Sequence, residues 1–451
     1  MNPELRRNLW LELSTHRLLA APAVIALIAM LIFVSSKSEA LQSLAMASAG
    51  GFTLMVMLWG TQLAGACVID EARDRTWDCQ RLSAIDPWAM TWGKLLGATA
   101  FAWYGGFILL LLFLATGSQS KLPVWHTAAL MISGAILLHA IALNASVLAA
   151  HKGITSRGTG AFVLLLLAFI AISSGASIVD NVDKAVRWWG WSLQHGDLLL
   201  GTTLTFGGWA LLGAYRSMCT ALEIRTTPWA LPLFILFAAG YLAGFAVRGE
   251  ANDPRVLFSV MASGVVIAMA FTYVLLFAEK SGAGAWQQLR VRLQARQWQR
   301  VLQEVPLWLT ALATGLAFAI CASLVSTGAG TGSFLNEVGL APVAVMLFAV
   351  RDAAIFQFFA LARQPKRVIA ATVLYLLLLY MVVPGLLNAL GGEVLAQLVL
   401  PPLVKSPATT TMVMLVQAAI AIALAYWRWH KIHAPDSALL KSERSGTSPL
   451  P

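Results

Sequence analysis

A charged insert between positions 70 and 94 holds the residues whose types and spacing most strongly suggest a function. It separates two long apolar runs and mixes acidic, basic and tryptophan side chains with a proline, before it closes with Gly93 and Lys94. Charged groups around apolar anchors are typical of surfaces that bind another protein, because a few anchors carry most of the binding energy. The alternative interpretation is a solvated loop whose charges are incidental.

The insert is predicted to begin with a short helix over residues 71–83 that lies along the membrane face. Trp77 and Leu82, followed by Ile85, would supply the apolar anchors of a docking surface. Pro87 is predicted to end the helical stretch, because proline lacks a backbone N–H and its ring clashes with the preceding turn. The chain would then be redirected into the next apolar run.

A second group that could do chemistry is the pair Arg351 and Asp352, which lies in the middle of an apolar run. An unpaired arginine at the centre of a membrane-spanning helix costs about 2.5–3.5 kcal/mol on insertion scales. Adjacent residues of a helix point in different directions, so each side chain is expected to find a partner on another helix. The pair is therefore either a buried structural pair or a site that faces cargo or a gate.

No enzyme motif occurs in the sequence, so we predict no catalytic residue, no bound cofactor and no metal site. The phosphate-binding loop and the HExxH and GxSxG motifs are absent from the sequence, and the glycine-rich stretch at 328–332 lacks the lysine of a phosphate loop. The four cysteines show no metal-ligand spacing. His139 and Asn144 are predicted to join helices by hydrogen bonds, with contact to cargo as the alternative.

The elements that position these residues are predicted to be membrane helices. Hydrophobic residues make up 59% of the chain, charged residues only 12%, and the mean hydropathy is +0.74, which lies far outside the range of soluble domains. A membrane-spanning helix needs about 20 mostly apolar residues, and about twelve such runs occur. They cover roughly residues 18–34, 43–69, 95–116, 126–150, 159–179, 197–215, 230–247, 256–278, 306–326, 341–360, 368–389 and 409–427. The runs lack the alternating pattern of barrel strands, so the predicted class is all-α.

The basic residues predict the orientation of these spans. Most of the 31 Lys and Arg residues fall in connections that are cytoplasmic if the N-terminus is cytoplasmic. This bias is the one expected for an even number of spans with both termini in the cytoplasm. The net charge of +10 is then explained by contacts with anionic lipid headgroups, so nucleic acid is not expected as a partner.

Three polar or aromatic segments outside the predicted spans have amphipathic character. Residues 2–17 are predicted to form an elbow helix that lies flat in the membrane interface before the chain turns at Pro22. Residues 180–195 carry three tryptophans and predict an interfacial or re-entrant helix. The segment 286–303 predicts one more interfacial helix, with leucines and a tryptophan against four arginines.

The elbow, the insert and the spans around them resemble the permease subunit of ABC exporters of the ABC-2 type. In that family the connection between the second and third spans carries a glutamate, a Gly-Thr or similar pair, an acidic residue, a proline and a closing Gly-Lys pair. The matching residues here are Glu71, Arg75-Thr76, Asp78, Pro87 and Gly93-Lys94. The chain departs from the family at Arg75, where glycine is commoner, and at Trp77 and Cys79, where an aliphatic residue is often found.

The resemblance covers roughly residues 2–217 and implies a transport function driven by a partner. It implies an ATP-binding subunit that docks on residues 70–94, with ATP and magnesium on that subunit rather than on this chain. The implied interface consists of Glu71, Arg75, Thr76, Trp77, Asp78, Arg81, Leu82, Pro87, Gly93 and Lys94. A working exporter has two ATPase sites, whereas this chain offers one docking insert, so a homodimer or a pairing with a second permease is expected. The implied location is a bacterial plasma membrane.

Two other functions are compatible with the sequence. A secondary transporter with twelve spans would fit the span count, but its spans would be unusually poor in charge. A membrane enzyme that handles lipid-linked sugars would need clustered external histidine, aspartate or arginine residues, which the sequence lacks.

The predicted organisation has five parts. They are a six-span core at 1–217 with the elbow helix at 2–17 and the coupling segment at 70–94, two additional spans at 218–278, a cytoplasmic amphipathic segment at 279–305, four additional spans at 306–427, and a cytoplasmic tail at 428–451 that is predicted to be disordered.

Overall fold

The structure is a computed structural model, and part of the chain is described by it. The described residues are 2–36, 39–83, 85–117, 123–151, 184–247, 254–279, 282–328, 339–361, 368–392, 396, 399 and 407–433. The predicted span at 159–179, residues 180–183 of the tryptophan-rich segment and the tail after 433 lie outside them.

The described chain is mostly helical, as expected for a helical membrane protein. Nine of its helices are long and apolar enough to cross a membrane, and a bent pair of helices raises the number to ten. Ala230–Ala246 is apolar but shorter, with 17 residues. The chain divides into two compact units, Met1–Thr226 and Thr227–Pro451, and each is described by itself.

The first unit contains nine α-helices, one π-helical segment and one hairpin in its described part. In chain order they are Pro3–Glu12 (α1), Thr15–Ser35 (α2), Ala40–Phe52 (α3), the π-helical segment Thr53–Gly60, Thr61–Arg73 (α4), Trp77–Arg81 (α5), Pro87–Gly97 (α6), Ala100–Thr116 (α7), Val124–His151 (α8), the strands Ala185–Trp188 (β1) and Trp191–Gln194 (β2), and His195–Ala221 (α9). α8 lies at the centre of this unit, and α4 and α9 pack against it.

The second unit contains nine described α-helices and a second π-helical segment. They are Ala230–Ala246 (α10), Pro254–Ala278 (α11), Ala283–Gln294 (α12), Trp298–Glu304 (α13), Leu307–Gly328 (α14), Ala341–Ala360 (α15), Val368–Leu377 (α16), the π-helical segment Leu378–Val382, Val383–Ala389 (α17) and Pro407–His433 (α18). Its core forms where α11, α14 and α15 pack together.

The turn after the elbow helix differs in place from the prediction. Asn2 caps α1 by accepting hydrogen bonds from the backbone N–H groups of Glu4 and Leu5, and Ser14 caps α2. Pro22 lies inside α2, so the chain turns at residues 13–14 and the prediction of a turn at Pro22 was wrong. Serine is a strong N-cap because its hydroxyl satisfies a backbone donor that the first helical turn leaves unpaired.

The tryptophan-rich segment forms a β-hairpin, so the prediction of a helix there was wrong for residues 185–194. β1 pairs with β2 in antiparallel register, and Trp188 lies opposite Trp191. The two turn residues, Trp189 and Gly190, have φ values of 51° and 79°. Positive φ at both central residues matches the twist of a two-residue hairpin, and aromatic residues favour strands. The described part of the fold is therefore helical with one small sheet, rather than purely α.

The amphipathic segment between the spans is also broken. Instead of one helix over 286–303, the structure has α12 and α13 with a turn between them. Arg296 lies in this turn with φ 52°. The backbone N–H groups of Arg296 and Gln297 bond the carbonyls of Leu293 and Arg292, which closes the end of α12.

Candidate functional site

The first half of the insert is a helix end followed by a single short helix. α4 ends at Arg73, and Arg75 has φ 60°. The N–H of Thr76 bonds the carbonyl of Glu71 and the N–H of Arg75 bonds that of Ala72, which is the hydrogen-bond pattern of a Schellman motif. The prediction of one helix over 71–83 was therefore wrong, because the chain leaves the helical conformation at Arg75.

The second half of the insert begins a new helix at Pro87. Asp86 accepts hydrogen bonds from the N–H groups of Trp88 and Ala89, and Pro87 occupies the first helical position. Proline suits this position because its missing N–H would have no intrahelical partner there. α6 then continues to Gly97 and meets α7 at a bend of 56°.

Lys94 is the centre of a buried network of charges. Its side chain is 1% exposed, and its Nζ atom donates to Glu4 Oε1 at 3.1 Å, to Gln80 Oε1 at 2.7 Å and to Glu71 Oε2. Glu71 also accepts from Arg7 at 2.7 Å and from Gln80 Nε2 at 2.8 Å. Two carboxylates thus meet one lysine and one arginine, so the network is close to neutral.

The network joins four elements that are distant in the sequence. Glu4 and Arg7 lie on the elbow helix α1, Glu71 on α4, Gln80 on α5 and Lys94 on α6. A buried charge that loses its partner is strongly destabilising. The elbow, the end of the second predicted span, the short helix of the insert and the start of α6 are therefore held as one body.

Close packing of the elbow on α6 depends on two glycines. A Cβ atom on Gly93 would lie 2.6 Å from the Cβ of Glu4, and one on Gly97 would lie 2.5 Å from the Cβ of Asn8. Asn8 Nδ2 also donates to the carbonyl of Gly93 at 3.3 Å. Small residues four apart on one helix allow another helix to approach closely. The spacing of Gly93 and Gly97 was a signal in the sequence for this contact, and it was missed.

The residues implied as a docking interface fall into three groups by exposure. Arg75, Thr76, Asp78 and Leu82 are exposed, Glu71 and Arg81 are half-buried, and Trp77, Pro87, Gly93 and Lys94 are buried. Buried residues cannot touch a partner directly, so in a docking interface they would hold the exposed residues in place.

The apolar anchors differ from the predicted set. Trp77 is 5% exposed and packs in the core of the first unit beside Val68, with Lys94 Nζ 5.3 Å from its ring centroid. Ile85 packs partly buried against the same core. Assigning Trp77 as an anchor for a partner was therefore wrong, whereas the half-buried Ile85 stays a prediction. Leu82 is 90% exposed and so is available as the predicted anchor, and the neighbouring Trp88 is also exposed.

A second ion pair fixes the other end of α5. Arg81 donates to Glu223 Oε1 at 2.6 Å, just beyond the end of α9. Glu223 has φ 60° and, like Arg75, closes a helix end by a Schellman motif through the N–H groups of Glu223 and Ile224. The pair is exposed and adds little stability by itself, but it gives α5 a contact with a third membrane helix.

The second unit holds a separate buried network around Arg351 and Asp352. The two side chains pair directly, with Arg351 Nε 3.1 Å from Asp352 Oδ1, which adjacent residues were not expected to do. Arg351 also donates to Gln417 Oε1 at 2.6 Å and to the Tyr380 hydroxyl at 2.8 Å. Asp352 accepts from the hydroxyls of Tyr380 and, at 2.6 Å, Tyr273. Both residues thus have the partners on other helices that were expected.

The arginine is also enclosed by aromatic rings. Its guanidinium carbon lies 4.4 Å from the ring centroid of Phe348 and 5.3 Å from that of Tyr380. Tyr380 belongs to the π-helical segment Leu378–Val382, and π-helical turns often occur at functional sites. The geometry gives every charged atom of the pair a partner, which lowers the cost of burying it.

His139 and Asn144 of α8 join helices, as predicted. His139 Nε2 lies 2.8 Å from the carbonyl of Val56, within the π-helical segment Thr53–Gly60. Asn144 accepts from the Ser217 hydroxyl of α9 at 2.6 Å. The backbone hydrogen bonds of a π-helical turn follow a different pattern from those of an α-helix. His139 supplies a hydrogen-bond partner to the Val56 carbonyl at this turn.

Comparison with known proteins identifies no relative. No family model, curated protein or solved structure matches the chain. Among the described residues, no group of three or more histidine, cysteine, aspartate or glutamate side chains could hold a metal ion.

Proposed function

We propose that the chain is the membrane-spanning permease of an ABC exporter, driven by a separate ATP-binding subunit that docks on residues 70–94. The proposal rests chiefly on one observation: the exposed residues of the insert stand on a base of ion pairs around the buried Lys94, which connects them to the elbow and the membrane helices. A movement of a partner bound to the outer surface of the insert would therefore move these helices together as a rigid body, rather than bend a loop.

The exposed surface has the chemistry of a docking site. Asp78, 77% exposed, lies one turn before the exposed Leu82, and Trp88 of the same insert is also exposed, so the insert presents a charged residue and two apolar side chains. Apolar anchors with a charged rim favour specific association with a folded partner. ATP and magnesium would bind to that partner, and this chain would hold neither.

The complete assembly that we propose has twelve spans per chain with both termini in the cytoplasm. The bent pair α6–α7, the short helix α10 and the run at 159–179 would be the spans beyond the nine long helices. The chain would act as a homodimer or with a second permease, in contact with anionic lipids of a bacterial plasma membrane.

A secondary transporter is the second candidate, and the Arg351 network favours it. Charged residues at membrane depth are rare and mark ion or substrate paths in transporters. The tyrosines, Gln417 and Phe348 enclose the network. Such an enclosed arrangement fits a buried structural ion pair as well as it fits a site that couples ion movement to transport. We therefore rank this function second.

The proposed function is tested by purifying the chain in mild detergent from its native host and identifying bound proteins by mass spectrometry. The informative variant is Leu82→Asp, because it changes an exposed anchor and leaves the buried network intact. Trp125→Asp is the matched control, since Trp125 is 77% exposed and lies on the predicted opposite side of the membrane.

We expect an ATP-binding protein with a phosphate loop to copurify with the wild type and the Trp125→Asp control, and to be lost from Leu82→Asp. The copurified complex should hydrolyse ATP in a vanadate-sensitive manner. Equal recovery of the subunit with Leu82→Asp would contradict docking on the insert. Recovery of folded wild-type chain without any ATP-binding protein, in several detergents, would favour the secondary transporter.

A further inference from the structure

The helices α12 and α13 lie where the second unit would meet the membrane surface. They connect α11 to α14, which are both candidate spans, so they belong at one end of these spans. Trp286 fixes the start of α12 there: its Nε1 atom donates to Gln357 Oε1 at 3.2 Å, and its ring packs edge-on against that of Trp308. The pair of helices is therefore anchored to the membrane helices and cannot extend away from them.

A groove of about 820 Å³ is formed by these two helices. Its lining includes three arginines and several glutamines, namely Arg290, Arg292, Arg300, Gln287, Gln294 and Gln297. No carboxylate is among the lining residues of the described chain. The groove thus presents guanidinium and amide donors, and the carboxylate of Glu304 beside it is paired with Arg292.

Two of the three arginines carry uncompensated charge. Arg292 pairs with Glu304, whereas Arg290 and Arg300 form no ion pair within the described part of the chain. Arg290 is held by the ring of Trp429 at 5.3 Å, and Arg300 donates to Gln297 at 3.3 Å. Their positions are therefore fixed by neutral groups, which leaves donors for a negatively charged ligand.

The same two helices also carry exposed apolar side chains, one of which, Val291, lines the groove. Val291 of α12 and Trp298 and Leu302 of α13 are all more than half exposed. Exposed apolar residues beside basic ones are typical of helices that lie in the membrane interface, with the apolar residues among acyl chains and the basic ones at headgroups. A soluble anion would leave these apolar residues in water, whereas a lipid would cover them.

We propose that the groove between α12 and α13 binds the phosphate of an anionic lipid headgroup. Arg290 and Arg300 would donate to the phosphate oxygens, because guanidinium groups form paired hydrogen bonds with phosphate. Val291, Trp298 and Leu302 would contact the acyl chains. This site is independent of the ATP-binding partner and of the insert that would bind it.

The test uses native mass spectrometry of the purified full chain with phosphatidylglycerol and with phosphatidylcholine of the same acyl chains. The double variant Arg290→Gln/Arg300→Gln removes the two uncompensated charges. The matched control Lys184→Gln/Arg187→Gln removes two exposed basic charges from the β-hairpin. We expect the groove variant to bind phosphatidylglycerol about 30-fold more weakly, the loss expected for two arginines near anionic lipid, and the control to bind like the wild type.

Soluble glycerol 3-phosphate separates a lipid site from a simple phosphate site. We expect it to bind far more weakly than phosphatidylglycerol, because it cannot cover the apolar flank. Equal binding of the soluble compound would overturn the lipid assignment, as would equal binding of phosphatidylcholine or unchanged lipid binding by the groove variant. If loss of Arg290 releases Trp429 and destabilises the fold, the single variant Arg300→Gln, with an expected loss of several-fold, provides the same test.

Discussion

Replacement of Lys94 by methionine should destabilise the first unit more than almost any other single substitution. Lys94 Nζ lies 3.1 Å from Glu4 Oε1, and the two side chains are 1% and 2% exposed. At an effective dielectric constant of about 20, this separation corresponds to about 5 kcal/mol of attraction before the cost of desolvation. Removal of one member of such a pair costs about 3–5 kcal/mol, because the other charge stays buried; among the described residues, Glu4 would keep only Arg7, which is 3.4 Å away and 41% exposed, as a charged partner. We therefore expect the Lys94→Met variant to lose about 3–5 kcal/mol in its free energy of unfolding.

The assay is reversible unfolding in mixed detergent micelles, monitored by tryptophan fluorescence. Lys184→Met is the matched control, because Lys184 is exposed and its loss should change the free energy of unfolding by less than about 0.5 kcal/mol. The double variant Glu4→Gln/Lys94→Met also removes the buried Glu4 carboxylate, whose remaining charged partner would be Arg7. We expect it to be more stable than Lys94→Met alone, because Glu71 keeps Arg7 and Gln80 as partners.

Two results would refute this reasoning. If Lys94→Met behaves like the Lys184→Met control, the lysine does not hold the elbow and the insert together. If the two substitutions in the double variant are additive, Glu4 and Lys94 are not coupled, whereas directly contacting charges should show a coupling of about 0.5–3 kcal/mol.

Three further substitutions follow from the geometry. Arg75→Gly should raise the free energy of unfolding by about 0.5–1 kcal/mol in the same assay, because φ 60° is strained for arginine and free for glycine, and a loss of stability would contradict the Schellman turn. Gly97→Ala should cost about 1–3 kcal/mol and expose the elbow to trypsin, because its Cβ would meet Asn8; Gly50→Ala, with no atom within 4 Å of its added Cβ, should do neither. Arg351→Met should cost about 3–5 kcal/mol and leave the elbow resistant to trypsin, and a stability change below about 1 kcal/mol would show that Asp352 is not buried as a charge.

Composition and hydropathy were sufficient to predict a helical membrane protein, because a bilayer imposes long apolar helices whatever their contacts. Local rules also predicted that Pro87 separates two helical stretches and that His139 and Asn144 bond across helices. These features depend on residue type and immediate surroundings. They can therefore be read from a single sequence.

The errors have a different origin. The hairpin at 185–194 was missed because its turn is Trp-Gly rather than Asn-Gly, and its tryptophans were interpreted as interfacial residues. The break at Arg75 was missed because a charged residue in the left-handed region gives no signal in the sequence. In both places the tertiary structure imposes a backbone conformation that the residue types alone would not favour.

The organisation of the candidate site depends on contacts across long sequence separations. Glu4 and Lys94 are 90 residues apart, and Arg81 and Glu223 are 142 apart. No periodicity or motif connects residues at such distances. For this reason the residues of the insert were identified, but the division between an exposed surface and a buried base was not.

The π-helical segment Thr53–Gly60 has a consequence for the tolerance of this span to changes in length. Phe52 before it and Val68 after it both pack into buried clusters with α8, yet 16 residues of continuous α-helix would turn them roughly 160° apart. The π-helical turns change the rotation along the helix, so that Phe52 and Val68 both face α8. An insertion or deletion in this segment can therefore be absorbed by a change in the number of such turns. The same change within Thr61–Arg73 would rotate Glu71 by roughly 100° away from Lys94. Evolutionary variation in length should therefore concentrate in the π-helical segment and be absent from the helix that follows it.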